Sequence, residues 1–293
     1  MKSGLVALAG RPNVGKSTLL NRLLGRKVAI MSATPQTTRS VIRGVLHRPE
    51  GQAVLLDMPG LHKPKTLLGQ RLNDLARGTL AEVDLVCLLV DAVAGVGRGD
   101  RFLAAEIAKV KAARFCLVNK VDAIPRRRVP EALVAAAELA DWDETVPISA
   151  RTGEQLDVLV ELIFRYLPEG PPLYPEGQVT DEPEQHFIAE VIREKAITLL
   201  RDELPHSVAV VVDELGPSSD NPEVLVIHAT LYVERDSQKP ILLGRGGTLL
   251  REIGTRARTE LELLLGTRIY LDLHVKVAKE WQRDPKQLQR LGF

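Results

Sequence analysis

The chain has 293 residues, of which 45% are apolar and 26% are charged, and its formal net charge is +1. This length allows one large domain or two modest ones, and the composition is that of an ordinary globular chain. No apolar run approaches the roughly 18 residues needed to span a bilayer, and the N-terminal apolar run is too short for a secretory signal. We therefore expect a cytoplasmic protein in which Cys87 and Cys116 stay reduced.

The first half of the chain alternates short apolar runs with helical patterns. Strands are predicted at 4–10, 53–60, 85–92, 115–120 and 145–150. Helices are predicted at 17–25, 98–112, 130–140 and 154–167. This alternation predicts an α/β fold with a mostly parallel sheet and helices on both faces. Residues 41–48 add one antiparallel edge strand.

A stretch rich in proline and glycine separates the two halves. Residues 167–177, LPEGPPLYPEG, predict a stiff linker. The order after it is α-β-β-α-α-β. Helices are predicted at 184–203, 237–243 and 248–265, and strands at 206–215, 223–235 and 268–277. We predict a domain at 1–167, a linker at 168–180 and an α+β domain at 181–293.

Residues 10–17, GRPNVGKS, match the phosphate-loop pattern G-x-x-x-x-G-K-S between a strand and a helix. The glycines let backbone N–H groups close around a β-phosphate. Lys16 can bridge the β- and γ-phosphates, and the Ser17 hydroxyl can ligate Mg²⁺. The predicted nucleotide contacts here are Gly10, Arg11, Pro12, Asn13, Val14, Gly15, Lys16, Ser17 and Thr18.

A second motif, NKVD at 119–122, distinguishes guanine from adenine. It follows a buried strand at the carboxyl end of the sheet, where α/β folds bind ligands. Asp122 can accept from both N–H groups on the Watson–Crick edge of guanine, and adenine lacks that pair. Asn119 and Lys120 would support the base. Ser149 and Ala150 would place a backbone N–H on guanine O6.

A third motif, DMPG, ends another strand and carries the expected metal and switch residues. Asp57 would reach Mg²⁺ through water, and the Gly60 N–H would sense the γ-phosphate. In the preceding segment Thr38, with Thr37 as the alternative, would complete the Mg²⁺ shell. An ordinary Pro-Gly turn is compatible with this role, because a turn that rearranges on phosphate loss can act as a switch. The predicted contacts of the turn are Asp57, Met58, Pro59 and Gly60.

A second glycine turn, GRGG at 244–247, has no Lys-Ser after it, so a second triphosphate site is not expected. It matches the G-x-x-G of KH domains, which clamps a single-stranded backbone between two helices. An ordinary helix cap is the alternative. Aromatic residues are only 4% of the chain, so apolar side chains are expected to replace a stacking platform. The predicted RNA contacts are Ile241, Leu242, Leu243, Gly244, Arg245, Gly246, Gly247 and Arg251.

The charge is divided unevenly between the two halves. Residues 1–167 hold 24 Lys and Arg against 17 Asp and Glu, a balance of +7. Residues 181–293 hold 15 against 19, a balance of −4. RNA binding by the second domain would therefore depend on the narrow basic strip at 239–258 and not on bulk attraction.

The ordered set GRPNVGKS, PQTTR, DMPG, NKVD and SA, followed by this tail, resembles the Era-type GTPases of the translation-factor-like class. The resemblance implies a GTP-hydrolysing switch that takes GTP or GDP with Mg²⁺ and ends in a type II KH domain. It further implies binding to the 3′ end of small-subunit ribosomal RNA, with a role in assembling the small subunit. We expect a monomer that does not bind DNA.

The resemblance also assigns catalytic roles, namely to Lys16, Thr38, Gly60 and Asn13. In related GTPases an asparagine at the Asn13 position helps hold potassium, which we adopt as a hypothesis. Leu61 stands where Ras-like GTPases keep a water-orienting glutamine, so slow intrinsic hydrolysis is expected. The resemblance also implies peripheral association with the inner face of the membrane. In the sequence, only the basic residues Lys63 and Lys65, which follow the DMPG turn, support it.

Two other functions fit parts of the pattern. One is an RNA chaperone whose nucleotide site has decayed, which the intact Lys16, Ser17, Asp57 and Asp122 disfavour. The other is a tRNA-modifying GTPase, which shares the asparagine of the phosphate loop. The folate-binding domain and the C-terminal cysteine of that class have no counterpart in this sequence.

Overall fold

A computed structural model describes residues 1–32, 34, 37–61, 64–201 and 204–293. The chain forms two compact units. The first comprises Met1–Ala29, Thr38–Pro64 and Gly69–Asp181, and the second comprises Ile30–Thr37, Lys65–Leu68 and Glu182–Phe293. Within the described ranges, no helix is both long enough and apolar enough to cross a membrane.

The first unit is built on a sheet whose six described strands have the order β2-β3-β1-β4-β5-β6. All neighbouring strands are parallel except the edge pair β2 and β3, which is antiparallel, so the predicted topology is confirmed. The strands are β1 (Lys2–Gly10), β2 (Ile42–Arg48), β3 (Gly51–Asp57), β4 (Leu85–Asp91), β5 (Ala113–Asn119) and β6 (Glu144–Ile148).

Helices cover both faces of this sheet because its central strands are apolar on both sides. Successive residues of a strand point to opposite faces. Accordingly Val54 and Val86 belong to one buried cluster, and Leu55 and Cys87 belong to the other. Polar residues are thereby confined to the ends of the strands, where Asp57 and Asn119 lie.

The helices of this half of the chain are α1 (Lys16–Leu24), α2 (Leu67–Glu82), α3 (Arg98–Ile107), α4 (Val129–Ala137) and α5 (Leu156–Tyr166). The sequence predictions included all of them except α2. The buried side of α2 repeats every four residues, through Leu68, Leu72, Ala76 and Leu80. Its two glycines lower the helix propensity of the segment, which obscures this pattern.

The segment predicted to be a linker is hydrogen-bonded to the first unit. The Ser3 N–H donates to the Pro168 carbonyl at 3.0 Å, and the Gln52 amide donates to the Tyr174 carbonyl at 2.7 Å. The Val45 N–H donates to the Val179 carbonyl at 2.7 Å. The segment therefore covers the otherwise open edge of β2, and an exposed edge is where unwanted strand pairing begins.

The second unit packs helices against a sheet of three described strands, β7 (Ala209–Pro217), β8 (Val224–Val233) and β9 (Arg268–Val277). Strands β7 and β8 are antiparallel, and β8 and β9 are parallel. The helices are α6 (Glu184–Leu199), α7 (Leu204–Ser207), α8 (Gln238–Leu243), α9 (Thr248–Leu265) and α10 (Pro285–Arg290). The predicted order is confirmed, with α7 and α10 as additions that the sequence predictions did not include.

Candidate nucleotide and RNA sites

The phosphate loop lies between β1 and α1, and its glycines allow a close approach to neighbouring strands. Gly15 has φ of 105°, and a Cβ there would collide with the side-chain amide of Asn119. A Cβ on Gly10 would lie 2.9 Å from the Leu89 carbonyl oxygen. Asn13 also has positive φ, at 61°. Left-handed residues among right-handed ones turn successive N–H groups inward, which produces an anion-binding nest.

Lys16 and Asp57 place opposite charges beneath this loop. Lys16 Nζ donates to the carbonyls of Gly10 and Arg11 at 3.1 and 3.3 Å. Burial lowers the pKa of the Lys16 amine, and Asp57 opposes that effect. Burial likewise raises the pKa of the Asp57 carboxyl, while Lys16 and the Ser17 hydroxyl lower it. Two buried charges with few polar partners lower the stability of the fold, because each has lost its hydration. A metal-bound triphosphate would supply the further partners.

The oxygen atoms around Asp57 suit a magnesium ion. Asp57 Oδ2 accepts from Ser17 Oγ at 2.5 Å and from Thr38 Oγ1 at 3.5 Å. Asp57 Oδ1 is buried and has no hydrogen-bond partner among the described residues. Carboxylate and hydroxyl oxygens are the ligands that Mg²⁺ prefers. Thr37 instead donates its hydroxyl to the Thr34 carbonyl at 2.7 Å, so the geometry favours Thr38 of the two threonines.

The DMPG turn runs beside the phosphate loop. A Cβ on Gly60 would lie 3.7 Å from the Gly10 carbonyl oxygen and 3.8 Å from Pro12 Cδ. Met58 is buried, and Leu61 packs against the same apolar cluster, so neither side chain can orient a water molecule. Five residues near the predicted Mg²⁺ and γ-phosphate contacts lie outside the described residues, namely Ala33, Pro35, Gln36, His62 and Lys63.

A cavity of about 240 Å³ lies next to the NKVD motif. Asp122 Oδ1 accepts from Ser149 Oγ at 2.6 Å, and Oδ2 accepts from the Arg151 guanidinium at 2.5 Å. The Ser149 hydrogen bond outweighs desolvation and lowers the pKa of Asp122, with help from Arg151. The carboxylate therefore stays ionised as an acceptor. The cavity is lined by Gly15, Thr18, Asn119, Lys120, Asp122, Ala123, Ala150 and Arg151.

Asn119 and Lys120 connect this cavity to the phosphate loop. Asn119 Nδ2 donates to the Val14 carbonyl at 2.7 Å, and Lys120 Nζ donates to the Asn13 carbonyl at 2.8 Å. The Ala150 N–H, predicted to contact guanine O6, donates to Asn119 Oδ1 at 2.9 Å. The Ala150 N–H would therefore have to be shared between Asn119 Oδ1 and guanine O6. The sequence predictions did not include Arg151, whose link to Asp122 depends on the tertiary fold.

The second glycine turn opens onto a groove of about 340 Å³ between α9 and β9. Gly244 has φ of 73°, and a Cβ there would lie 2.8 Å from the Leu249 backbone nitrogen. The groove is lined by Gly247, Leu250, Arg251, Gly254, Thr255, Arg258, Leu271 and Leu273. Six of these residues lie on α9 or directly before it, and they recur at helical spacing. This spacing is the signal that could have identified the groove from the sequence.

The arginines of α9 differ in their partners. Arg256 pairs with Glu252 at 2.6 Å. Arg251 and Arg258 form no ion pair with any described residue, and both line the groove. Arg245 in the glycine turn is also exposed and makes no such pair. The basic strip predicted from the sequence therefore contains three arginines free to meet an anion.

The predicted apolar RNA contacts need one correction. Leu242 is fully buried in the core of the second unit, so its side chain is not available to RNA. Ile241 is 56% exposed and remains available. Leu243 is half-buried and packs against the same core. A helix packed on a sheet buries one residue of such a triplet, and Leu242 faces the core here.

Known proteins match the chain in two separate regions and over its full length. A family model described as a 50S ribosome-binding GTPase matches residues 5–120, and a KH domain model matches residues 203–282. GTPase Era from Mycobacterium sp. (strain KMS) is 56% identical over 295 residues, covering 100% of this chain and 99% of that protein. The chain belongs to the Era family of GTPases. As an Era-family GTPase it binds guanine nucleotides and hydrolyses GTP.

Further relatives agree with this membership. GTPase Era from Nocardioides sp. (strain ATCC BAA-499 / JS614) is 54% identical over 301 residues, covering 100% of this chain and 96% of that protein. A variant of Aquifex aeolicus Era bound to GDP and AlF₄⁻ has a TM-score of 0.96 at 42% identity. An Era complex with MgGDPNP and nucleotides 1506–1542 of 16S ribosomal RNA has the same two values. Both structures cover 100% of this chain, which covers 99% of each.

Proposed function

We propose that this Era-family GTPase binds single-stranded RNA from the 3′ end of small-subunit ribosomal RNA and assists assembly of that subunit. The observation that carries the proposal is the groove beside GRGG, where Arg251 and Arg258 have no ion-pair partner among the described residues. Support also comes from the Era relative solved with nucleotides 1506–1542 of 16S ribosomal RNA. An apolar floor between two free guanidinium groups suits unstacked bases joined by phosphates.

Nucleotide binding would use the residues assembled around the phosphate loop. Backbone N–H groups of residues 10–17 would hold the phosphates. The Lys16 amine would exchange its hydrogen bonds to the Gly10 and Arg11 carbonyls for contacts with the phosphates. Ser17, Thr38 and Asp57 would hold Mg²⁺, which polarises the phosphate oxygens when bound. Asp122 would select guanine. The orphaned Asp57 Oδ1 is the feature that best supports the metal role.

The RNA proposal is tested with Arg251→Glu. Placing a negative charge in the groove should weaken binding of an RNA of nucleotides 1506–1542 by about 10-fold or more, and it should reduce the salt slope by about one. Fluorescence anisotropy measures both quantities. The affinity for GDP should not change, because residue 251 lies in the second unit.

Arg256→Glu is the matched control. It makes the same charge change on the same helix, at an arginine that already pairs with Glu252. Binding should weaken clearly less than in Arg251→Glu. Equal losses in both variants would show that only net charge matters, and the groove would then not be the RNA site.

We further propose that potassium binds next to the phosphates through Asn13. The residue has positive φ in the phosphate loop, and potassium could supply the positive charge that an arginine finger provides elsewhere. Replacing sodium with potassium should raise the rate of GTP hydrolysis, and Asn13→Ala should remove the increase. Equal rates in the two salts would exclude the role. Membrane association and the monomeric state remain predictions from the resemblance.

A further inference from the structure

Arg11, the second residue of the phosphate loop, directs its side chain away from the loop. Its Nε lies 2.9 Å from Asp100 Oδ1 and 2.8 Å from Asp100 Oδ2, and its Nη2 donates to the Gly95 carbonyl at 2.8 Å. Asp100 lies in the first turn of α3 and is fully buried, while the Arg11 side chain is 29% exposed. The β4–α3 loop and the first turn of α3 therefore hold the phosphate loop through an ion pair whose carboxylate is buried.

The β4–α3 loop is shaped to receive this guanidinium. A Cβ on Gly97 would lie 3.1 Å from Arg11 Nη1, and a Cβ on Gly99 would lie 2.9 Å from Arg11 Cδ. The Gly97 N–H also donates to Asp100 Oδ2 at 2.8 Å. Any side chain at either glycine would crowd the arginine. The buried carboxylate is thus satisfied from two directions, which makes its geometry rigid.

This contact completes the support of the phosphate loop. Asn119 and Lys120 hold the carbonyls of Val14 and Asn13, on the limb near the base. On the opposite limb of the loop, Arg11 extends its side chain to a buried partner, Asp100. The Arg11 carbonyl also accepts from Lys16 Nζ at 3.3 Å. The position of Arg11 therefore bears on both the shape of the nest and the lysine that must turn to the phosphates.

We propose that Asp100 is a positioning residue which, through Arg11, holds the phosphate loop in its nucleotide-accepting shape. A preformed nest binds an anion without the cost of ordering the backbone, so loosening one limb weakens phosphate binding. The guanine cavity lies on the other limb and is unaffected. This proposal rests on the proposed nucleotide site, and it adds two side chains, those of Arg11 and Asp100, that do not touch the nucleotide.

The test compares Arg11→Ala and Arg11→Lys with Arg77→Ala. Arg77 lies 3.6 Å from Glu106 and ties the other end of α3 to α2, so it controls for the loss of an ion pair on the same helix. Stopped-flow displacement of a fluorescent GDP measures the dissociation rate. Arg11→Ala should speed release about 10-fold, because small misplacements in a preorganised site have large effects. Arg11→Lys should be intermediate, and Arg77→Ala should be within about twofold of the parent chain.

A second measurement separates positioning from a purely structural role. Unfolding is followed for each variant with and without saturating GDP, and GDP and IDP affinities are compared. Positioning predicts weaker affinity for both nucleotides with an unchanged GDP-to-IDP ratio, because the base contacts stay intact. A lower Tm with an unchanged dissociation rate would overturn the proposal. If the parent chain itself failed to bind GDP, the nucleotide site would be wrong, which is a distinguishable result.

Discussion

Asp122 shows how one carboxylate can be prepared to select a base. Its two oxygens are held by Ser149 and Arg151 at the rim of a cavity of about 240 Å³. The Ser149 hydrogen bond keeps its pKa low, so it remains an acceptor at neutral pH. Two N–H groups of guanine can meet this acceptor, whereas adenine offers no such pair.

Asp122→Asn should therefore change base preference from guanine to xanthine. The amide can donate to the C2 carbonyl of xanthine, but it no longer accepts from both guanine N–H groups. We expect GDP affinity to fall by about 3 kcal/mol, roughly 100-fold, because hydrogen bonds to charged groups contribute about 1.5–3 kcal/mol each. Isothermal titration with GDP and XDP measures the change.

Asp141→Asn is the control for this substitution, because Asp141 is an exposed carboxylate of the same unit outside the cavity lining. It should leave both affinities unchanged. If Asp122→Asn lowered the affinities for GDP and XDP equally, Asp122 would support the cavity without reading the base.

At the scale of elements, regular periodicity and motif order carried most of the prediction. The parallel sheet, the edge pair and the tail order follow from apolar runs that need no tertiary knowledge. Helix α2 was missed because Gly69 and Gly78 weaken its helical pattern. The contact between Arg11 and Asp100 could not be predicted, because it joins residues 89 positions apart in the sequence, which only the tertiary fold brings together.

The same limit applies to the second unit. Leu271 and Leu273 of β9 pack against the core of the second unit, yet both also line the groove. The alternation of apolar residues predicts which face of a strand turns to the core. It does not predict how much of that face a neighbouring helix covers. The pairing of Arg256 with Glu252, by contrast, follows from their spacing of four residues on one helix.

Gly254 sets the depth of the groove at the level of helix α9. A glycine inside a helix costs about 0.5–1 kcal/mol relative to alanine, so its presence there suggests a use. A Cβ at this position would lie 3.4 Å from Leu273 Cδ1, which the fold can accept. Gly254→Ala should therefore raise the free energy of unfolding by about 0.5–1 kcal/mol and still weaken RNA binding, because the methyl group enters the groove.

Gly78→Ala provides the comparison. Gly78 lies in α2, far from the groove in sequence, and a Cβ there would have nothing within 4 Å. It should give a similar gain in stability with unchanged RNA affinity. Urea unfolding and RNA anisotropy on the two variants test both effects. RNA affinity that rises or stays constant in Gly254→Ala would show that bases do not enter at this point.

In the whole molecule, the nucleotide site and the RNA groove lie in halves of the chain with opposite charge balance. This raises the question of whether binding at one site changes the affinity of the other. The nucleotide site belongs to a half with a balance of +7, and the groove belongs to a half with a balance of −4. Bulk attraction therefore cannot explain RNA binding by the second unit. A nucleotide-dependent change in RNA affinity would require a genuine coupling free energy between the sites.

Such coupling can be measured in both directions. We expect RNA to bind about 10-fold more tightly with a non-hydrolysable GTP analogue than with GDP, within the range of ordinary allosteric effects. Thermodynamic linkage then requires RNA to increase the preference for the analogue over GDP by the same factor. Anisotropy with labelled RNA and titration with each nucleotide give the two ratios independently. In Arg251→Glu, an RNA concentration that just saturates the parent chain should shift nucleotide preference less, because the variant is less fully occupied by RNA. Ratios of one in both directions would leave two working sites without a switch between them, and unequal ratios would mean that the RNA or the nucleotide also binds elsewhere.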